Sequence, residues 1–273
     1  MHKMFPPLRK NRVSTAALFD TCKYILLMVV LVWLIVSGSE KLGYNWQWYR
    51  IPQYFGQITE KGISWGPLMK GLAVTMEITA ISMFFMLVIG LITALLRMTG
   101  ARIGCGLARI YMELIRNSPL LIQIFFIYFV IAPILNMSGF WAAVIALSLF
   151  EGAYASEIFR AGITSINQGQ WEAAKSLGMN AYPMYRYIIL PQAIRRIIPP
   201  LTSQAVSLIK DSALVSTVAI LDLTQQGRII DAETFLTFEI WFTVAAIYLC
   251  ITLTLSTLVR ILEQRTQNMD STI

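Results

Sequence analysis

The chain is poor in the groups that carry most catalysis. Its single histidine is His2, and its three cysteines, Cys22, Cys105 and Cys250, are scattered without C-x-x-C spacing. Histidine-based chemistry, haem ligation, a cysteine metal cluster and a disulfide framework therefore have almost nothing to work with. Charge is scarce as well. Only 14% of the 273 residues are charged, where soluble domains run near a quarter. The chain has no G-x-x-x-x-G-K-[ST] segment and no Gly-Lys pair, so any ATP must be hydrolysed by another chain. Gly62-Ile-Ser-Trp-Gly66 matches G-x-S-x-G, but a serine hydrolase needs a base and a strand-to-helix elbow, and His2 is unavailable.

Apolar residues are abundant. They make up 56% of the chain, and mean hydropathy is +0.62. A helix needs about 20 apolar residues to cross a bilayer. Six candidate runs are present: 24–38, 71–96, 119–135, 140–163, 199–221 and 237–262. Irregular backbone cannot face lipid, so the expected fold is an all-α membrane protein of about six transmembrane helices. The first run is short. It follows Lys23 and precedes Ser37-Gly38-Ser39, which leaves a signal peptide as the alternative to an anchor helix, although the site does not read A-x-A.

Lys and Arg set the orientation. With the N-terminus in the cytoplasm, sixteen of the 22 basic residues fall in inside segments, five fall outside, and Lys210 lies within a span. Both termini are then cytoplasmic. This placement accounts for the net charge of +7 without nucleic acid. The outside segment after the first run is rich in aromatics, from Tyr44 to Trp65, as interfacial belts are.

One polar stretch stands apart, Glu172-Ala-Ala-Lys-Ser-Leu-Gly178 through Pro191. Residues 172–177 are good helix formers, and Gly178 stands where a helix stop wants a left-handed residue. Pro183 fits the first turn of a second short helix, 184–190, which Pro191 ends. The expected shape is helix, turn, helix outside the membrane. Glu172 is placed in a first turn, where negative charge suits the helix dipole.

The spacing E-A-A-x3-G-x9-I-x-L-P resembles the cytoplasmic loop by which membrane subunits of ABC importers dock onto their ATPases. Tyr111 to Gln123 is similar to the Y-x-E-x-x-R-x-[ST]-P-L-L-x-Q element of the permeases for polar amino acids. Gly152 to Gly162 resembles their A-A-Y-x-A-E-I-x-R-G-G run, with Gly152, Ser156 and Ala161 departing from it. Ser207 to Ser216 resembles their L-K-D-[ST]-S-L segment, with Ala213 departing. The likeness runs from about Trp65 to Arg265. It implies a five-helix importer-permease core plus one N-terminal helix, in segments 1–65, 66–265 with the docking loop at about 164–191, and 266–273. It also implies ATPase docking through Glu172, Ala173, Ala174 and Gly178. The implied partners are two ATPase subunits that hold ATP and Mg, a second permease chain (identical or sister), an extracytoplasmic amino-acid-binding protein and membrane lipid. No cofactor is expected on this chain. The implied location is the bacterial inner membrane, multi-pass.

Ionisable groups inside spans cost roughly 2.5–3.5 kcal/mol each, so they mark a pathway or a structural pair. Glu77, Glu151, Tyr154, Ser207, Lys210 and Asp211 are the candidates for a substrate pathway. Counted from Pro199 and from Phe140, Lys210 and Glu151 reach similar depth near the middle of the bilayer. Lys210 has an equal structural reading, as a partner of Glu151 or Glu157. Ser203, Ser207 and Asp211 recur at steps of four and share one helix face. Glu157 and Arg160 are expected near the inner face, holding the loop. An ion-gradient-driven secondary transporter is the rival reading. It suits mid-membrane charge, but it needs no docking pattern and predicts repeats, which the sequence does not show.

Overall fold

The computed structural model describes residues 15–41, 43–59 and 62–270. Lys3, Arg9, Lys10, Arg12 and Lys61, used above for orientation, lie outside the described residues, as do the last three residues of the tail. The chain divides into two compact units, Met1–Gln47 and Trp48–Ile273. The expected boundary at 65/66 falls inside the second unit, because Ile51, Tyr54 and Phe55 pack with Leu68, Leu223 and Ile240.

The first unit contains one helix, α1 (Thr15–Lys41), of 27 residues. It is about 40 Å long and continues through the Ser-Gly-Ser that the sequence suggested as its end.

The second unit is helical apart from one small element. After a 3₁₀ turn over Trp48–Tyr54 come β1 (Gly56–Thr59) and β2 (Gly62–Trp65), an antiparallel hairpin pairing Gly56 with Trp65. The fold is mostly helical, as expected, and this hairpin is the sheet it adds among the described residues. Gln57 opposite Ser64 places the G-x-S-x-G serine within a paired strand, before the turn at Gly66 that leads into α2 rather than on it. The helices that follow are α2 (Pro67–Met98), α3 (Arg102–Arg116), α4 (Leu120–Phe126), α5 (Ala132–Ile134), α6 (Gly139–Thr164), α7 (Gln168–Ser176), α8 (Ala181–Met184), α9 (Leu190–Asp211), α10 (Leu223–Thr234) and α11 (Thr237–Asp270).

Three helical stretches among the described residues are long and apolar enough to span a membrane: α2, α6 and Thr237–Val259 of α11. A fourth arises if α3 and the stretch Leu120–Ile134 count as one span bent by 107°. The fifth run from the sequence, 199–221, is α-helical to the end of α9 and then 3₁₀ over Ser212–Val218, and α9, with Arg195, Arg196, Gln204 and Lys210, is too polar to pass on composition.

The centre of the fold is the crossing of α2 and α6. Small residues bring the two backbones together, as they do in membrane bundles, where no hydrophobic force separates helix from lipid. A Cβ on Gly90 would stand 2.7 Å from the Ala155 Cβ, and one on Gly152 3.0 Å from Ile89. Ser148 and Ser82 lie buried in the same seam, both donating to the Val144 carbonyl. Further down, α9 comes close enough that a Cβ on Gly162 would overlap Ile197.

Two π-helical segments, Ile127–Ile131 and Ile189's own stretch Tyr185–Ile189, each end two residues before a proline, Pro133 and Pro191. Proline lacks an N–H and its ring clashes with the carbonyl four residues back. Widening the preceding turn to i→i−5 bonding relieves both. Pro191 was expected to end a helix. Instead the π segment absorbs it in the first turn of α9, and Pro199 and Pro200 lie inside that helix.

Candidate functional site

The first candidate is the polar loop between α6 and α9. Asn167 caps α7 by accepting from the Gly169 N–H at 2.8 Å, so the helix begins four residues before Glu172. Glu172 and Ala173 therefore lie mid-helix and exposed, away from the first turn where the sequence placed Glu172. The expected stop at Gly178 is present. Its φ is +71°, its N–H reaches the Lys175 carbonyl at 2.9 Å, and the Met179 N–H reaches the Ala174 carbonyl at 3.1 Å. Those two bonds form a Schellman cap. Ala174 is fully buried, packed with Ile163, Ile166, Met184, Ile189, Ala193 and Ile197. It holds the loop together, while Glu172, Ala173 and Gly178 form the outward face. Leu177, Tyr182 and Tyr187 are 78%, 77% and 69% exposed, which makes this face unusually apolar for a loop. Arg196 ties its start to α9 by donating to the Ser165 carbonyl.

The second candidate is a buried acidic cluster. Glu151 of α6 has no exposed surface. One carboxylate oxygen accepts a short hydrogen bond from the Gln204 amide of α9, and the other has no partner among the described residues. The Asp211 carboxyl, at the end of α9, is a close electrostatic neighbour of the same group. Ser207 lies half-buried on the α9 face between Gln204 and Asp211. Sequence reasoning missed Gln204, although its place one turn before Ser207 was a usable signal.

The other pathway candidates are not gathered here. Lys210 is exposed and forms no ion pair among the described residues, so its expected pairing with Glu151 or Glu157 is not found. Glu77 lies on an exposed face of α2. Tyr154 is turned toward α3, its ring 5.1 Å from Phe150 and 5.8 Å from the Arg116 guanidinium. Nearby, Glu157 accepts from Arg97 at 2.7 Å, Arg160 at 3.0 Å and Arg116 at 3.4 Å. It therefore binds α2 and α3 to α6, and this group was expected to hold the loop.

On the other side, Asp222 is fully buried and caps α10 by accepting from the Gln225 N–H at 2.9 Å. The Leu223 N–H reaches Thr75 of α2 at 3.0 Å. Burial pushes the Asp222 carboxyl up from 3.8 to about 6, against the pull of the backbone N–H groups it caps.

Residues 86–268 match the family described as binding-protein-dependent transport system inner membrane component. The chain belongs to this family. It is 39% identical over 201 residues to the glutamine transport system permease protein GlnP of Escherichia coli (strain K12), covering 72% of this chain and 92% of that one. Against the L-cystine transport system permease protein TcyB of Bacillus subtilis (strain 168) it is 39% identical over 204 residues, covering 74% and 87%. A crystal structure of an amino acid ABC transporter with histidines superposes with a TM-score of 0.69 at 39% identity, covering 73% of this chain and 94% of that one. The inward-facing MetNI methionine ABC transporter shares the fold, with a TM-score of 0.57 at 22% identity. As the sequence expects, the matched region begins well after α1.

Proposed function

We propose that this chain is the membrane permease of an ATP-driven importer for a polar amino acid, with ATP hydrolysed on separate subunits. The carrying observation is the α6–α9 loop. Its buried core and two capped helix ends hold an exposed face of Glu172, Ala173 and Gly178 in a fixed shape. A rigid knob of that kind suits a groove on a partner, because little ordering entropy remains to be lost on docking. Six spans with both termini in the cytoplasm put this loop on the cytoplasmic side, where an ATPase works. A second permease chain and an extracytoplasmic binding protein complete the assembly, in the bacterial inner membrane.

Glu151, Gln204, Ser207 and Asp211 form the solute-contacting group of this reading. Its support is the buried, partnerless carboxylate oxygen of Glu151 beside a second carboxyl. A solute ammonium would satisfy both, since a buried anionic oxygen without a partner is costly.

The test is co-purification from the native membrane in mild detergent. A stoichiometric ATPase that is lost in Glu172→Lys is the expected result. A clean preparation that has no ATPase and transports in an ion gradient alone would overturn the proposal.

A further inference from the structure

A polar cavity of about 430 Å³ lies beside Tyr154, apart from the acidic cluster. The end of α2, one face of α3 and the lower part of α6 wall it, with Arg97, Arg109, Glu113, Arg116 and Glu157 among its lining. Its charges do not balance. Glu157 serves three arginines, and Glu113 is occupied with the Asn117 amide at 2.9 Å. Arg109 has no ion-pair partner among the described residues. Counting Arg160 with the three lining arginines, four guanidiniums meet two carboxylates, which leaves two positive charges without a counter-ion.

The outer face of α3 says where that counter-ion comes from. Ile103, Leu107, Ile110 and Leu114 form one stripe at steps of four, three and four, and are 81%, 63%, 59% and 67% exposed. Arg102, Arg109 and Arg116 recur every seven residues on another face. An apolar stripe beside a basic face is the pattern of a helix lying in the headgroup layer, its apolar side among the acyl chains. The 107° bend between α3 and the stretch Leu120–Ile134 fits a helix lying along the membrane before a span that crosses it.

We propose that this cavity binds the phosphate of an anionic phospholipid, with Arg109 and Arg116 as the principal ligands and the acyl chains running along the α3 stripe. Basic pockets between helix ends near the headgroup layer take such lipids, and guanidinium forks match phosphate oxygens. Which leaflet supplies the lipid rests on the orientation proposed above and is the cytoplasmic one. The site itself does not rest on it.

The experiment is native mass spectrometry of the purified chain, incubated with phosphatidylglycerol or with phosphatidylcholine of the same acyl chains. Phosphatidylglycerol should remain bound where phosphatidylcholine does not. Arg109→Gln should weaken retention about tenfold, the effect of losing one charge-assisted bond. Arg109→Lys should restore most of it, which shows that a loss in Arg109→Gln is not misfolding. Arg228→Gln, the same charge change in the distant α10, should leave retention unaltered. Equal retention of the two lipids, or normal retention in Arg109→Gln, overturns the proposal. So does displacement of the lipid by inorganic phosphate, which would make this a small-anion site. None of these readouts involves an ATPase or transport, so failure here leaves the importer reading where it stands.

Discussion

The α6–α9 loop and the Glu151 cluster are assembled by opposite means. In the loop, the caps that fix α7 join residues two to five apart: Asn167 to Gly169, Lys175 to Gly178 and Ala174 to Met179. In the cluster, Gln204 reaches Glu151 across 53 residues, and Asp211 lies farther along still. The loop is local chemistry, and in the function proposed above its exposed face is what a partner meets. The cluster exists only because α6 and α9 cross, with Gly162 allowing Ile197 to approach. A change in the loop should therefore alter docking with modest effect on the fold, whereas a change in the cluster should reach the whole helix bundle.

The largest expected effect is at the cluster. Glu151→Ala would leave the half-buried Gln204 amide without its acceptor. A double-mutant cycle between Glu151→Ala and Gln204→Ala, read by thermal unfolding in detergent, should give a coupling of about 2 kcal/mol, as bonds to charged groups do. Additive effects would show that the contact contributes nothing and that α6 and α9 are held by packing alone. If the cluster contacts solute, the charge reversal Glu151→Lys should in addition change uptake selectivity at normal expression. Unaltered selectivity would remove Glu151 from the solute-contacting group.

An intermediate case combines both types. Asp222 is a local helix cap, yet its burial comes from α2 packing over it, with the Asp222 carbonyl only 2.7 Å from where a Gly71 Cβ would be. Its raised value of about 6 means that the folded chain binds this proton more tightly than the unfolded chain does. Stability should be greatest below about pH 4, fall as pH rises, and level off above about pH 6. Asp222→Asn keeps an oxygen for the cap and removes the charge. Melting temperatures of this variant should be flat across that window, relative to the parent. A parallel pH slope in the variant would assign the dependence to another group.

The smallest effect belongs to the loop. Gly178→Ala places a Cβ at φ +71°, in otherwise open space, and should cost about 1 kcal/mol. The bundle's melting temperature should barely move, because helix ends open locally. Retention of the ATPase in a pull-down should drop several-fold. A large loss of bundle stability instead would mean that the loop and the membrane core unfold as one unit.

The sequence was legible where local rules apply. Gly178 announces its left-handed turn, and the long apolar runs of α2, α6 and α11 announce themselves. It misled at Pro191, because a π segment before this proline lets the helix continue through it, and no residue type marks that segment. It was silent on α3, because a sequence divided into spans and loops has no place for an amphipathic helix that does neither. The hairpin at 56–65 was lost among its aromatics.

For the site, residue type alone nominated Glu151 and Asp211, since a charge in an apolar run is costly wherever it falls. The choice of Gln204 as the partner of Glu151, and the placing of Lys210 and Glu77 on exposed faces, were decided by helix rotation and crossing. Membrane character follows from composition, and the family is legible in motifs that resemble its members, both of which the chain carries in itself. Which side chains share a buried volume depends on contacts between distant residues, and those are set only when the small residues of α2, α6 and α9 let the helices close on one another.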